Sequence, residues 1–427
     1  MNALTAVVRD RRALELLGVL ALRRVAGAGF PIVLVVATAE VRGFAAAALV
    51  QGFRVAALAL TAPFRARLLD RIGRSRVVLP QTVITAIALS CLVVCSISGR
   101  LPIWTAAASA VIMALSSPSL DAVIRTVWRT IATTDAEVKA LHSYDSILEE
   151  AGFLVGPFLA SVLMLGLGPR SALYVVAAAV IAGSVLTLLP SEIRAALRQQ
   201  VAKATPPATT TGAGRLDKVR RALRTAAGPI ATPELQRIVA PLILMGVELG
   251  IVGILAPALS QAHGRAANSG FVIACISLGG IIGAFTYGSV NLGPSLRRRH
   301  AVLGVIFGTP LVMGAWAHSP WQLGLLLGVA GLAVTPLYIN AYLMMDADIP
   351  RSAIHEANTW VPVGNDVGYI IGLAVAGWLS GHNELHAISV SLSAAALLLV
   401  AYSLYQLRTP SPAAAASENL AMPASSP

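Results

Sequence analysis

Charge is scarce in this sequence. Only 12% of its 427 residues are Asp, Glu, Lys or Arg, against roughly 25% in an average soluble domain. Hydrophobic residues make up 56%, so too little polar surface remains to coat a water-soluble body of this length. An ordinary cytosolic enzyme and a disordered chain are both excluded. Cysteine is scarce too. Cys91, Cys95 and Cys275 lie inside apolar runs at no metal-ligand spacing, so packing is their expected role and a disulfide scaffold is ruled out. The sequence contains no phosphate-binding glycine loop, nucleophile elbow or HExxH pattern. That argues against an ATP-driven pump or an enzyme, and no cofactor or metal is expected. His382, Glu384 and His386 crowd a short loop, but no third ligand converges on them.

What is present is apolar sequence in long runs. A membrane helix needs about 20 mostly apolar residues. Twelve such runs occur, near 17–39, 44–65, 77–97, 103–124, 141–166, 171–190, 237–260, 269–290, 301–317, 322–345, 358–380 and 387–406. The expected fold is all-α and polytopic, with both termini in the cytoplasm at the cell membrane. Of the 32 basic residues, only Arg42, Arg100, Arg170 and Arg265 then fall in outer loops, and Arg54 lies within a span. The excess charge is thus a positive-inside bias with attraction to anionic lipid, not a nucleic-acid surface. Trp104, Trp128, Trp316, Trp321, Trp360 and Trp378 fall near span ends, as an aromatic belt requires.

The spans divide six and six. An N-terminal bundle is expected over 1–193, a linker over 194–236, a C-terminal bundle over 237–408 and a disordered tail over 409–427. Within the linker, Leu216, Val219 and Leu223 share one face of a basic amphipathic stretch suited to the inner membrane surface. The halves resemble each other. The segment from Leu141 matches that from Ala357 at an offset of 216 positions, which aligns Glu149 and Glu150 with Asn365 and Asp366, Gly152 with Gly368 and Gly156 with Gly372. Ser116 to Leu120 loosely matches Val334 to Tyr338, two positions out of that register. Repeated halves are how many transporters build paired bundles around a central site.

Two motifs sharpen this. Between spans two and three, Asp70, Arg71, Gly73, Arg74 and Arg76 crowd a tight basic loop. Asp70 can accept from nearby arginines or from a helix N-terminus, and Gly73 permits the turn. In span five, Gly152 and Gly156 let helices approach closely, and Pro157 leaves the carbonyl of Phe153 without its helical donor. With these residues the chain resembles the major facilitator superfamily over roughly 15–408. The loop is similar to that family's Gly-x-x-x-Asp-Arg-x-Gly-Arg-x-Arg/Lys signature, with Ala66 replacing its first glycine. The resemblance implies a conformational latch there. Gly152, Gly156 and Pro157 resemble the Gly-x-x-x-Gly-Pro signature of its antiporters, although Ala160 and Ser161 replace the glycines that follow. The resemblance also implies a cavity lined mainly by spans 1, 4, 7 and 10, with spans five and eight in contact across the halves. The arginine that many proton antiporters carry in the middle of span four is missing, and Arg125 is the nearest. The face of Gly280, Ala284 and Gly288 and that of Gly364, Gly368 and Gly372 read as close-packed sliding contacts.

Charges inside spans need a reason. Glu248 lies near the midplane of span seven, where it could meet a cationic substrate or a proton. Asp145 and Glu149 share a stripe of span five with Gly152 and Gly156. Arg125 and Arg129 are their expected partners at the cytoplasmic end of span four, and Asp121 is spaced to pair with Arg125. Arg54 needs an acid or carbonyls. Asp366 lies a third of the way into span eleven. Proton or substrate coupling is therefore expected at Glu248, Glu149, Glu150 or Asp366. Arg24, Tyr338 and Asn340 are the expected cavity contacts, and Arg54, Asp121, Arg125 and Asp145 form a buried ion network. The expected function is proton-coupled export of a hydrophobic or amphipathic organic molecule by a monomeric secondary transporter. The alternatives are a proton symporter for a small polar metabolite and a transport-dead sensor.

Overall fold

The computed structural model describes residues 11–72, 74–97, 102–117, 120–132, 134–198, 232–289, 295–349, 354–382 and 385–408. Among these residues every regular element is helical. The first half holds α1 (Arg11–Ile72), α2 (Arg74–Ile97), α3 (Ile103–Leu115), α4 (Leu120–Ile131), α5 (Asp135–Leu167), α6 (Pro169–Leu186) and α7 (Ser191–Arg198). The second holds α8 (Pro233–Ala262), α9 (Ser269–Ser289), α10 (Leu296–Val312), α11 (Pro320–Gly331), α12 (Val334–Asp348), α13 (Ile354–Ser380) and α14 (Leu385–Arg408).

Read as one rod, the 62 residues of α1 would be about three times longer than a membrane is thick. Gly43 resolves this. Its φ of 80° and ψ of 169° reverse the chain, so α1 is two antiparallel spans joined at one glycine. Among the described residues, eight helical stretches are long and apolar enough to cross a membrane, and α1 supplies two spans within one of them. The remaining spans are broken, short or charge-bearing: α3 with α4, α10, and α13. Twelve spans result, in two six-helix bundles.

The internal repeat is visible in the packing. Gly152 and Gly156 of α5 face Arg24, Val25 and Gly29 of α1, and a Cβ at Gly156 would lie 2.8 Å from the Gly29 nitrogen. Their repeat mates Gly368 and Gly372 of α13 face Ile243, Val247 and Ile251 of α8 in the same way. So span one seats on span five as span seven seats on span eleven. These glycines hold spans together within a bundle rather than sliding between bundles. Gly280 likewise faces Thr335 of its own bundle, and Gly288 faces open space.

Spans four and ten are both interrupted. The first breaks after Leu115 and the second after Gly331, so the breaks obey the same 216-residue offset as the repeat. The loose match of Ser116 with Val334 is therefore two positions astray, and Ser116 corresponds to Leu332. At the first break the Thr85 hydroxyl donates to the Ser116 carbonyl (2.9 Å), satisfying a group the helix end leaves free.

The core of the second bundle also takes in Val35, Ala39, Ala47 and Ala48 of α1. The first bundle has two buried clusters. One is centred on Phe30, Leu34, Leu89 and Leu173, and the other on Leu16, Leu20, Ile124 and Trp128. Trp128 is fully buried there and belongs to no belt. Trp104, Trp316, Trp321 and Trp378 are the strongly exposed tryptophans, and all four lie at the Gly43 end of the bundles. Helix α7 lays Ile193, Ala196 and Leu197 onto the second of these clusters. The amphipathic stretch at Leu216, Val219 and Leu223 and the 409–427 tail lie outside the described residues.

Candidate functional site

The two bundles meet along two seams, and the described contacts run from the Gly43 end to mid-depth. In the first, α5 packs on α9. Pro157 backs onto Gly270, the Ser161 hydroxyl donates to the Ala267 carbonyl, and Phe158 meets Phe271 edge-on at 5.0 Å. The carbonyl of Phe153, which Pro157 leaves without a donor, accepts from the Ser277 hydroxyl of the other bundle at 3.0 Å. A proline in one bundle is thus answered by a serine in the other. In the second seam, the second arm of α1 packs on α13, with Gly377 against Ala48 and Gly381 close to Ala45.

Polar side chains collect at mid-depth of that second seam. Arg54 is eleven residues past the Gly43 turn, about 16 Å at ~1.5 Å per residue and so near the centre of a ~30 Å hydrocarbon layer. Its Nε donates to Gln51 Oε1 at 2.9 Å. Gln51 is buried and faces the Tyr369 hydroxyl of α13. Facing Arg54 from α13 is Asp366, which interacts with it electrostatically without closing to a direct ion pair. Asp366 is half-buried and makes no hydrogen bond or ion pair among the described residues. Tyr338 of α12 adds a third wall and senses both Asp366 and Tyr342. An arginine of one bundle therefore shares one space with a carboxylate and two tyrosines, Tyr338 and Tyr369, of the other. Sequence reading named Arg54 and Asp366 separately and could not join them. Gln51 and Tyr369, polar groups in otherwise apolar stretches, were the available signal.

A second part-buried arginine, Arg24, is already engaged. Arg24 Nη2 lies 3.2 Å from Asp145 Oδ1, and its Nη1 lies 3.2 Å from Glu149 Oε1. Arg24, expected at the substrate cavity, has its charge matched within its own bundle. It stands beside Asp145 and Glu149 where the glycines of α5 let the two helices approach. The side chains of Asp121, Arg125 and Arg129 lie outside the described residues. Glu150 is half-buried beside Glu149.

Two further expectations change. Glu248 is at the expected depth but faces the interior of its own bundle, on one stripe with Met245 and Val252, all three buried. Neither of its carboxylate oxygens has a hydrogen-bond partner among the described residues. Asn340 is fully buried and consumed between helices, accepting from the Tyr287 hydroxyl and donating to the Leu296 carbonyl, both at 2.9 Å. In the basic loop, Asp70 and Arg71 close α1, Arg74 opens α2 and Arg76 is exposed. Gly73 and the side chains of Asp70, Arg71 and Arg74 lie outside the described residues.

This arrangement has known counterparts. The family model for the Major Facilitator Superfamily matches residues 16–290, well over half of the chain. The sequence has no match among curated proteins. Solved structures agree in fold at low identity. A bacterial homologue of the iron transporter ferroportin, in its inward-facing state, superposes with a TM-score of 0.72 at 14% identity, covering 93% of this chain and 99% of that one. The nucleoside transporter NupG gives 0.69 at 14% identity, covering 94% and 100%. The peptide transporter POT in complex with sulfate gives 0.65 at 15% identity, covering 92% and 93%. The chain belongs to the major facilitator superfamily and is a multi-pass membrane transporter of that fold.

Proposed function

We propose that this transporter exports a hydrophobic or amphipathic organic molecule by alternating access, driven by protons entering the cell, with Asp366 as the coupling group. The observation that carries the reading is the unclosed pair of Arg54 and Asp366, one charge on each bundle, at mid-depth of the seam. A lone carboxylate in the hydrocarbon layer is costly. While the bundles are closed at the Gly43 end, Arg54 compensates it. When they part there, Asp366 loses that neighbour and takes a proton in its place. Tyr338, Tyr342 and Tyr369 offer rings to the apolar or cationic part of a ligand. Glu248, sealed in its bundle, is assigned no part in coupling.

The arginine bias favours the chain termini on the cytoplasmic side of the cell membrane, so a structure closed at the Gly43 end faces inward. The Pro157-to-Ser277 arrangement, built on the antiporter-like motif, favours export.

The test is flux in sealed vesicles containing the purified protein, with an imposed proton gradient and a panel of lipophilic cations and small polar metabolites. The expected result is gradient-driven movement of a lipophilic cation against the proton flow. Glu248→Gln should keep at least half of that rate. Movement of only polar metabolites in the same direction as protons would replace export with symport. Loss of coupling in Glu248→Gln with normal folding would return the proton site to Glu248.

A further inference from the structure

A groove of about 520 Å³ runs along the α1–α13 seam on its membrane side. One wall is Ala48, Leu49, Gly52 and Phe53 of the first bundle, and the other is Leu373 and Trp378 of the second. The volume falls in the range of ligand pockets, about 300–1,000 Å³. Its character differs from the polar cluster beside it. Leu49 is 53% exposed, Phe53 46% and Trp378 68%, and in a chain of twelve membrane spans those side chains face lipid. The lining is apolar along its length except at one end, where His382 caps it. The ring of His382 packs on Trp378 at 4.9 Å, and its Nδ1 is within 3.0 Å of the Trp378 carbonyl, which leaves Nε2 directed elsewhere. Trp378 belongs to the group of exposed tryptophans at the Gly43 end, the depth at which tryptophan marks the membrane–water boundary.

We propose that this groove is a binding site for one hydrocarbon chain of a membrane lipid, with the lipid's polar head at His382. Three observations fix that occupant. The groove opens into hydrocarbon, so the medium outside it is acyl chain. Its polar end coincides with the boundary where a headgroup sits. Its walls are continuous with the established contact between bundles, so a chain lying in it touches both. Such a chain fills a space that would otherwise leave the seam loosely packed on one side, and it thereby favours the state closed at the Gly43 end. It also shields the Gln51–Arg54–Asp366–Tyr369 cluster from the bilayer, since Gly52, Phe53 and Ala56 form the inner end of the groove.

Gly52 provides the probe. A Cβ there would meet nothing within 4 Å, so the side chain of Gly52→Leu starts into open groove space, and an unchanged detergent melting temperature checks that the bundles stay folded. Gly166→Leu, where a Cβ also meets nothing within 4 Å, is the control. The protein is reconstituted in vesicles of phosphatidylethanolamine and phosphatidylglycerol doped with a phospholipid carrying a diazirine near the end of one acyl chain. After illumination, labelled peptides are mapped by mass spectrometry. Labelling of 45–56 and 370–382 should exceed that of other lipid-facing positions, such as Phe285 and Leu325, several-fold. It should fall to their level in Gly52→Leu and stay high in Gly166→Leu. Even labelling of all lipid-facing segments would overturn the proposal. So would enriched labelling that survives Gly52→Leu, because the chain would then lie outside the groove. Neither outcome bears on the assignment of Asp366, which is read from flux.

Discussion

Asp366→Asn is expected to abolish proton-driven concentration of substrate while leaving slow, gradient-independent exchange. In the native chain, opening at the Gly43 end separates Arg54 from Asp366 and strands a carboxylate unless it gains a proton. Asn removes that requirement, so opening no longer depends on protons. Translocon scales put a mid-membrane carboxylate at about 2.5–3.5 kcal/mol. Since each ~1.4 kcal/mol is tenfold in an equilibrium, the coupling term at stake is roughly a hundredfold. A loss of at least tenfold in gradient-driven accumulation is therefore expected in vesicles. Arg54→Gln and Asp366→Asn should each lower stability in the closed state, because each leaves the other charge alone in the seam. The double variant should recover stability relative to Arg54→Gln without recovering coupling. Non-additivity in that cycle measures the interaction directly. Additive effects would mean that the two charges do not communicate.

The second large effect is on folding. Arg24→Leu removes a cation that, among the described residues, is placed against both Asp145 and Glu149, at 3.2 Å each. Asp145 is only 7% exposed, so its charge stays in a poorly solvated site. Breaking a buried pair from one side typically costs about 3–5 kcal/mol. The lower end applies here, because the Glu149 side chain is nearly half exposed and screened. A large fall in detergent melting temperature is expected. Arg24→Lys should fall between the two, since a single ammonium cannot span both carboxylates as a guanidinium fork does. Asp145→Asn in the Arg24→Leu background should restore part of the loss. If Arg24→Leu melts with the native protein, the triad contributes nothing measurable and the α1–α5 seat rests on glycine packing alone.

Much of the architecture could be read before any coordinates. Span count follows from hydropathy, because the bilayer imposes a length on each apolar run. The 216-residue repeat follows from shared glycine and polar positions, and Gly152 and Gly368 perform the same packing task in the two bundles. Pro157 pointed to a freed carbonyl at Phe153. Its recipient Ser277 lies in another span, and helix pairing is set by packing that one sequence does not reveal. The same gap explains Asp145. Nearby arginines at the end of span four were natural partners by proximity in sequence, and nothing local in the sequence pointed to Arg24, 121 residues earlier. Depth and facing separate clearly at Glu248. Counting residues gave its depth, but a helix turns about 100° per residue, so the side it presents depends on which stripe the bundle buries. The breaks in spans four and ten had prolines as signals, Pro118 and Pro336, yet each segment still reads as one run of membrane-spanning length.

The central claim is that the bundles rock about a seam closed at the Gly43 end, with Asp366 exchanging Arg54 for a proton as that end opens. The most direct test is a pair of spin-label distances in membrane-embedded protein lacking Cys91, Cys95 and Cys275. One pair, at Leu167 and His263, spans the bundles at the Gly43 end. The other, at Arg76 and Arg298, spans them at the opposite end. All four positions are exposed. On acidification, the first distance is predicted to lengthen while the second shortens, and Asp366→Asn should populate the open Gly43 end at every pH. Two distances that stay fixed across pH, or that respond identically in Asp366→Asn and the native protein, would contradict the account.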